Sequence, residues 1–211
     1  RIMRTDGLQQ QLQRSLEREV EKGIARYNKG CRDVHRDARR FTKRTGERAI
    51  ISKDAMMPSH WAAGNLFNPF YVKKRLNNIA HALASKIRNL EYKPNPSLVI
   101  SIPKPAGGMR NISIFTIPDA AVAYWLNEVL LKRNQAFFSS YCFAYRNDRN
   151  GHNAINHLIS EIRQNKRLYI LEYDFSKYFD SIDHSYLMKI LKTYLRVSPR
   201  EIHLIESFLN R

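Results

Sequence analysis

Three carboxylates lie within ten residues late in the chain, in Tyr173-Asp174-Phe175-Ser176-Lys177-Tyr178-Phe179-Asp180-Ser181-Ile182-Asp183-His184. The run before them, Leu168-Tyr169-Ile170-Leu171, is β-prone and apolar on both faces, which reads as a central strand of a covered sheet. A rigid strand that ends in a carboxylate is a sound holder for a divalent cation. Mg²⁺ wants hard oxygen ligands, takes few of them from protein, and leaves the rest to water and phosphate. Asp174 stands where that strand should end. Asp183 directly precedes a helical pattern and reads as its N-cap. Asp180 admits both readings, ligand or turn residue.

Cations gather at two other places. Ile102-Pro103-Lys104-Pro105-Ala106-Gly107-Gly108-Met109-Arg110 lies between two extended runs, Leu98–Ile102 and Asn111–Phe115, and reads as a hairpin. Its glycines allow a tight turn and close approach to a ligand, while Lys104 and Arg110 are able to grip phosphates. Further along, Phe143-Ala144-Tyr145-Arg146-Asn147-Asp148-Arg149-Asn150-Gly151-His152-Asn153-Ala154-Ile155 carries Arg146 and Arg149. For all of these cations the plain alternative is a surface ion pair, which contributes little.

The elements that must position these groups follow from apolar spacing. Leu8, Leu12, Leu16, Val20, Ile24 and Tyr27 recur on one helical face. A more basic segment follows, with Arg32, Arg36, Arg39, Arg40, Lys43, Arg44 and Arg48 beside a thin stripe of Val34, Ala38 and Phe41. These cations suit either a groove for an RNA backbone or a solvated helix face. Ser52 to Phe67 reads as a loop. Asn68-Pro69 starts a helix that buries Val72, Leu76, Ile79, Ala80, Leu83, Ile87 and Leu90 and ends at Pro94 and Pro96. Pro118-Asp119 opens another, followed by an aromatic loop, Phe137–Tyr145, and a helix through Ala154, Ile155, Leu158, Ile159 and Ile162. After Asp183 one helix carries Leu187, Ile190, Leu191, Tyr194 and Leu195. Ser198-Pro199 starts a last one, burying Ile202, Ile205, Phe208 and Leu209. The class expected is α+β.

Set in this order, the segments resemble prokaryotic reverse transcriptases of the group II intron, retron and defence-associated kinds. Asp174-Phe175-Ser176-Lys177-Tyr178-Phe179-Asp180-Ser181-Ile182-Asp183-His184 is similar to the family's first palm motif, and the hairpin to its fingertip motif, IPKPxGGxRP. The segment Phe143 to Ile155 is similar to its YGFRPGRSxHDAI. The resemblance covers roughly Phe67 to Leu195 and implies a right-hand polymerase: a basic N-terminal helical region over 1–66, fingers over 67–165 and the first part of the palm over 166–211. It implies that Asp174 binds two Mg²⁺ ions with help from the Phe175 carbonyl, and that Phe179 lies under the incoming sugar and excludes a ribose 2′-OH. Lys104 and Arg110 would hold the triphosphate of a dNTP. Arg146 and Arg149 would meet template or nucleotide, and Arg39, Arg40, Lys43 and Arg44 an RNA backbone. A DNA product is implied, and an RNA template or a structured non-coding RNA as partner.

The sequence departs from the family pattern in places. Asn111 replaces a customary proline, and Asn147-Asp148 a customary Pro-Gly. The family's Tyr-x-Asp-Asp hairpin does not occur in the sequence, so a piece of a longer polypeptide is expected, inactive by itself because two-metal transfer needs more than one carboxylate. The opening Arg1 in place of Met points the same way. The basic start and Ala144–His152 look most like the defence-associated, antiphage group. A group II intron maturase, a non-catalytic RNA-binding module on a polymerase fold, and a primase-like or RNA-templated RNA polymerase are the alternatives.

Composition narrows the field without choosing a fold. The chain has 211 residues, 36 basic against 19 acidic, for a formal charge of +17. That balance favours a polyanionic partner, because each phosphate neutralised by Lys or Arg releases a condensed counterion. Cys31 and Cys142 form no CxxC, and the histidines show no HExxH, so neither a zinc site nor a disulfide-stapled secreted domain is expected. No apolar run approaches the ~20 residues of a membrane helix. A cytoplasmic protein without a membrane partner is the expectation.

Overall fold

A computed structural model describes residues 7–51, 57–105, 107–164, 167, 169–175 and 178–210, with 179 and 180 through their backbone only. The chain divides into two compact units, Arg1–Leu126 with His203–Arg211, and Asn127–Ile202.

In the first unit one helix dominates. Nothing in residues 7–45 breaks a helix by proline, and the apolar face and the basic segment expected after it form one continuous helix, α1 (Gly7–Thr45). Its first half buries Leu12, Leu16 and Val20, each contributing roughly 1.5–3 kcal/mol by leaving water. The helix expected from Asn68 forms in two pieces, α2 (Pro69–Lys73) and α3 (Leu76–Arg88). Asn68 is the cap expected: its Oδ1 accepts from the Phe70 and Tyr71 N–H groups at 2.9 and 3.4 Å. Both pieces pack on α1. Gly23 lets α1 close on Pro69, since a Cβ there would meet the proline ring at 3.1 Å.

The buried positions are Val72, Ala80, Leu83, Ala84 and Ile87; Leu76 and Ile79 are half-buried, and Leu90 is exposed. Leu90 instead ends α3 in a left-handed conformation, φ 59°. The Glu91 N–H donates to Lys86 O at 2.9 Å and the Leu90 N–H to Ile87 O at 3.3 Å, the paired bonds of a Schellman cap. Between α1 and α2, Ser59–Ala63 and Asn65–Phe67 coil into 3₁₀ turns within the expected loop. They bring Trp61 against Tyr27 and Phe70, with ring centroids at 5.2 and 5.9 Å.

The two extended runs form β1 (Leu98–Pro103) and β2 (Met109–Ile114), antiparallel in a register from Leu98↔Ile114 to Pro103↔Met109. The helix expected at Pro118 is α4 (Ile117–Arg133), whose first part buries Ala121, Val122, Trp125 and Leu126.

The second unit holds the end of α4, then α5 (Gly151–Gln164), α6 (Tyr178–Ser181) and α7 (His184–Tyr194), and the start of α8 (Pro199–Leu209). Ser198 starts α8 through a full capping box. Its N–H donates to Glu201 Oε2 at 2.7 Å, and the Glu201 N–H approaches Ser198 Oγ at 3.4 Å. In the first unit α8 buries Leu204 completely, and the four apolar residues expected inside are half-buried.

The central strand expected at 168–171 is corrected. Leu168 lies outside the described residues, and residues 169–175 form neither helix nor strand. Tyr169, Ile170 and Leu171 are exposed, Leu171 by 75%. A strand exists only through hydrogen bonds to neighbours, and among the described residues the sheet is the β1–β2 pair alone. No helix among the described residues is long and apolar enough to cross a membrane.

Candidate functional site

The hairpin is built by its glycines. The Gly107 N–H donates to Lys104 O at 3.1 Å, closing a four-residue turn with Pro105 in second place, and the Lys104 N–H donates to Gly108 O at 3.0 Å. Gly107 and Gly108 take φ values of 91° and 81°, a region that strains residues bearing a Cβ. The register pairs Ile102 with Arg110, and the Lys104–Gly108 bond continues it by one step. Side chains alternate along a ladder, so Lys104 and Arg110 share one face of the ribbon with Ile100, Ile102 and Ile112. Both cations are exposed. At Asn111 the departure from proline has a use: Ser101 Oγ donates across the ladder to Asn111 Oδ1 at 2.6 Å.

What holds the base of this ribbon is Asp119, which sequence reasoning took only as a helix start. It is fully buried. Its carboxylate accepts from Tyr92 Oη at 2.7 Å, Thr116 Oγ1 at 2.7 Å, the Asn95 N–H at 2.9 Å and Asn95 Nδ2 at 3.0 Å. A buried carboxylate is tolerable when its oxygens are filled in this way. The network ties the chain entering β1 to the chain leaving β2. A signal was present in Thr116-Ile117-Pro118-Asp119, the spacing of a capping box.

In the second unit Arg146 and Arg149 come together around one loop. Arg146 is fork-bonded to Asp148, Nε to Oδ1 at 2.9 Å and Nη2 to Oδ2 at 2.7 Å, and its Nη1 donates to Ser139 O at 3.2 Å. Its side chain is 7% exposed. The guanidinium holds the Asp148 carboxyl far below the usual range, and the carboxylate in turn raises Arg146. Arg149 donates to Ser140 O and lies 5.6 Å from the Phe143 ring centroid. Both residues are thus engaged within the loop, in the ion-pair role that was the plain alternative. Tyr145, just before, takes φ 56°, a conformation that costs an L-residue about 1–2 kcal/mol. Asn150 caps α5: its Oδ1 accepts the His152 N–H at 2.9 Å while its own N–H donates to Asn153 Oδ1 at 2.9 Å.

The carboxylates divide in function. Asp183 is the N-cap expected, its Oδ1 accepting from Ser185 Oγ at 2.5 Å and the Tyr186 N–H at 2.8 Å. Those bonds, the serine's first, hold its pKa below the usual carboxylate value. Asp174 is exposed on a segment without regular structure. Phe175 is exposed too, its ring 5.7 Å from that of Tyr178. The Phe179 and Asp180 side chains lie outside the described residues. Among the described residues no cluster of three or more His, Cys, Asp or Glu side chains is placed to hold a metal ion. One exposed carboxylate and one peptide carbonyl fall short of what two Mg²⁺ ions require. The chain's described residues do not by themselves fit that pair.

Of the N-terminal cations, Arg39 and Lys43 line a groove with Arg32 and His35. Arg40 turns to Asp37 at 3.8 Å. Arg44 is exposed in the last turn of α1.

No protein-family model matches the chain. A stretch of 128 residues, 59% of the chain, is 24% identical to Protein YkfC of Escherichia coli strain K12, and spans 34% of it. A stretch of 113 residues, 54% of the chain, is 26% identical to the "Putative COX1/OXI3 intron 1 protein" of Saccharomyces cerevisiae, and spans 13% of it. The matched stretches thus cover about a third or less of the length of these curated relatives, and the likeness is partial and distant, in one case to a protein named for an intron.

Proposed function

We propose that this chain is the fingers and early palm of a reverse transcriptase, an RNA-directed DNA polymerase. The observation that carries the reading is the hairpin. A glycine turn presents Lys104 and Arg110 on one exposed face, on a ribbon anchored by the buried Asp119 network. Two exposed cations without an ion-pair partner among the described residues suit a triphosphate, because the ribbon's backbone sets their spacing and no existing salt bridge has to break. In this reading they grip the phosphates of a dNTP. Asp174 and the Phe175 carbonyl are this chain's contribution to Mg²⁺ binding, and Phe179 reads the sugar.

The exposed run at 169–175 fits the same proposal. A β-prone segment that is apolar on both faces is satisfied when further strands pair along its edges and other elements pack on its two faces. Under this reading the rest of the palm sheet supplies those strands, together with the carboxylates that complete the metal pair. Metal ions held there would supply charge neutralisation for the triphosphate; the residues of this chain would bind and orient it.

Two settings divide the reading. The basic start and Ala144–His152 favour a defence-associated enzyme working with a structured RNA, whereas the relative named for an intron supports an intron-encoded, maturase-type enzyme. We favour the intron setting, since it has support outside the residues themselves. The exposed Asp174 favours a second reading, an RNA-binding module on a polymerase fold without catalysis. Primer extension by the complete polypeptide separates the two. Asp174→Ala is expected to reduce dNTP incorporation to background with RNA binding intact, and Lys104→Ala/Arg110→Ala to raise the KM for dNTP by about tenfold or more. Undiminished synthesis in Asp174→Ala would take that residue out of the catalytic role, and no synthesis by the parent polypeptide would leave the binding module.

A further inference from the structure

The second half of α1 does more than carry charge. The helix ends at Thr45, and Gly46, at φ 78°, turns the chain back. The Gly46 N–H donates to Thr42 O at 2.9 Å, the Glu47 N–H to Thr45 Oγ1 at 3.2 Å and the Ala49 N–H to Thr42 Oγ1 at 3.4 Å. Residues 49–51 are thereby laid along the helix. The result is a groove of about 770 Å³, lined by Arg32, His35, Arg39, Thr42 and Lys43 over Ala38, Ala49 and Ile51. Among the described residues no acidic side chain lines it.

The charges of α1 are sorted by face. Helical steps of ~100° bring residues 32, 35, 39 and 43 to one side. Asp33, Asp37, Arg40 and Arg44 fall on the flank, where Arg36 pairs with Asp33 at 2.9 Å and Arg40 with Asp37 at 3.8 Å. On the groove side the cations have no such carboxylate partners among the described residues. Arg32, Arg39 and Lys43 rise along the axis by about 10 and about 6 Å, steps suited to phosphates along one strand.

We propose that this groove seats the sugar-phosphate backbone of an RNA strand, with Arg32, Arg39 and Lys43 on phosphates and the alanines and Ile51 against the riboses. The proposal rests on the reading of the chain as an RNA-working protein, and it moves the contact from the flank to the groove: Arg39 and Lys43 belong to it, while Arg40 and Arg44 do not. A membrane surface is the weaker fit, because a helix that lies on lipid needs a broad apolar face opposite its cations, and α1 spends its main apolar stripe on the core.

The test is fluorescence anisotropy with a labelled RNA hairpin bearing a single-stranded tail, titrated over a salt series. Duplex DNA of equal length and phosphatidylserine vesicles serve as further probes. Arg32→Ala/Arg39→Ala/Lys43→Ala is expected to weaken RNA binding by about tenfold or more and to flatten the log K against log salt slope by about two to three. Arg40→Ala/Arg44→Ala should weaken it by less than about threefold. Gly46→Ala leaves charge unchanged but strains the turn, and should weaken binding several-fold with helical content kept by circular dichroism.

Parent-like RNA affinity in the groove triple variant overturns the proposal, as does a larger loss in the flank pair or tighter binding to vesicles than to RNA. Unchanged affinity in Gly46→Ala overturns the built groove. A parent polypeptide that binds RNA through these residues but incorporates no nucleotide overturns the polymerase reading and leaves the groove standing.

Discussion

Side chains from α1, α3, α4 and α8 exclude water from the interior of the first unit, where Leu12, Leu16, Ala84, Val122 and Leu204 are fully buried. The second unit has a different interior. Its buried residues, among those described, are Asn134 and Glu201, both polar. Arg133 forks onto Glu201, Nη1 to Oε2 at 2.6 Å and Nη2 to Oε1 at 2.9 Å. Asn134 Oδ1 accepts the Arg196 N–H at 2.7 Å, and Asn134 Nδ2 donates to Leu130 O at 2.9 Å. One unit is held by apolar burial and the other by charge-assisted bonds at a helix corner. Meanwhile Ile155, Leu158, Ile159 and Ile162 of α5 stay exposed. The lesson is that a candidate site takes regular form where its base is tied to a dry core, as at the hairpin, and lacks it where apolar faces are uncovered among the described residues, as at Asp174.

The largest effect that would break this contrast is at Asp119, the one buried carboxylate among the described residues of the dry unit. Asp119→Ala removes the acceptor shared by Tyr92, Asn95 and Thr116, and chemical denaturation should show a loss of about 3–5 kcal/mol. A loss under ~1 kcal/mol would mean that water replaces the carboxylate. Next comes a matched pair: Leu16→Ala should cost about 2–5 kcal/mol, whereas Leu158→Ala on exposed α5 should stay within about 0.5. Equal costs would show that α5 is covered in solution.

In the second unit Arg133→Met should cost about 2 kcal/mol through the lost bonds to Glu201. Burial by itself would raise the Glu201 pKa, but the Arg133 guanidinium and the Ser198 N–H overcome it and leave the value lowered. A lowered carboxyl adds stability that is complete above the ordinary carboxylate value, ~4.3, and is lost as pH falls through the folded value. The parent protein should therefore lose stability more steeply below about pH 4 than Arg133→Met does; parallel pH profiles by thermal melting would remove the pair from that role. The smallest effect sharpens the boundary of α3. Leu90→Gly should stabilise by about 1 kcal/mol, because glycine takes the left-handed cap without strain. A loss of stability would mean that the half-exposed leucine side chain packs more than it strains.

Much of the fold was legible in the sequence because the signals are local. Asn68-Pro69, Asp183 and Ser198-Pro199 start helices through their own side chains and nearby N–H groups. The glycine hairpin likewise needs only Gly107, Gly108 and the flanking extended runs. The strand expected at 168–171 is not formed for the opposite reason: a strand depends on partners that need not be near in sequence, and the described sheet offers it none. Arg146 and Asp148 stand two residues apart in plain view, yet their joint fork depended on how the loop turns at Tyr145.

By itself the sequence determined the helical faces, the caps, the hairpin with its two cations and the strongly basic charge, because each depends on residue type and short spacing. Only the tertiary structure decided that Asp119 is a filled structural carboxylate, that Arg146 is spent within its own loop, and that Asp174 stands in solvent. Those outcomes depend on which distant groups come within hydrogen-bond reach, and spacing along the chain does not encode that.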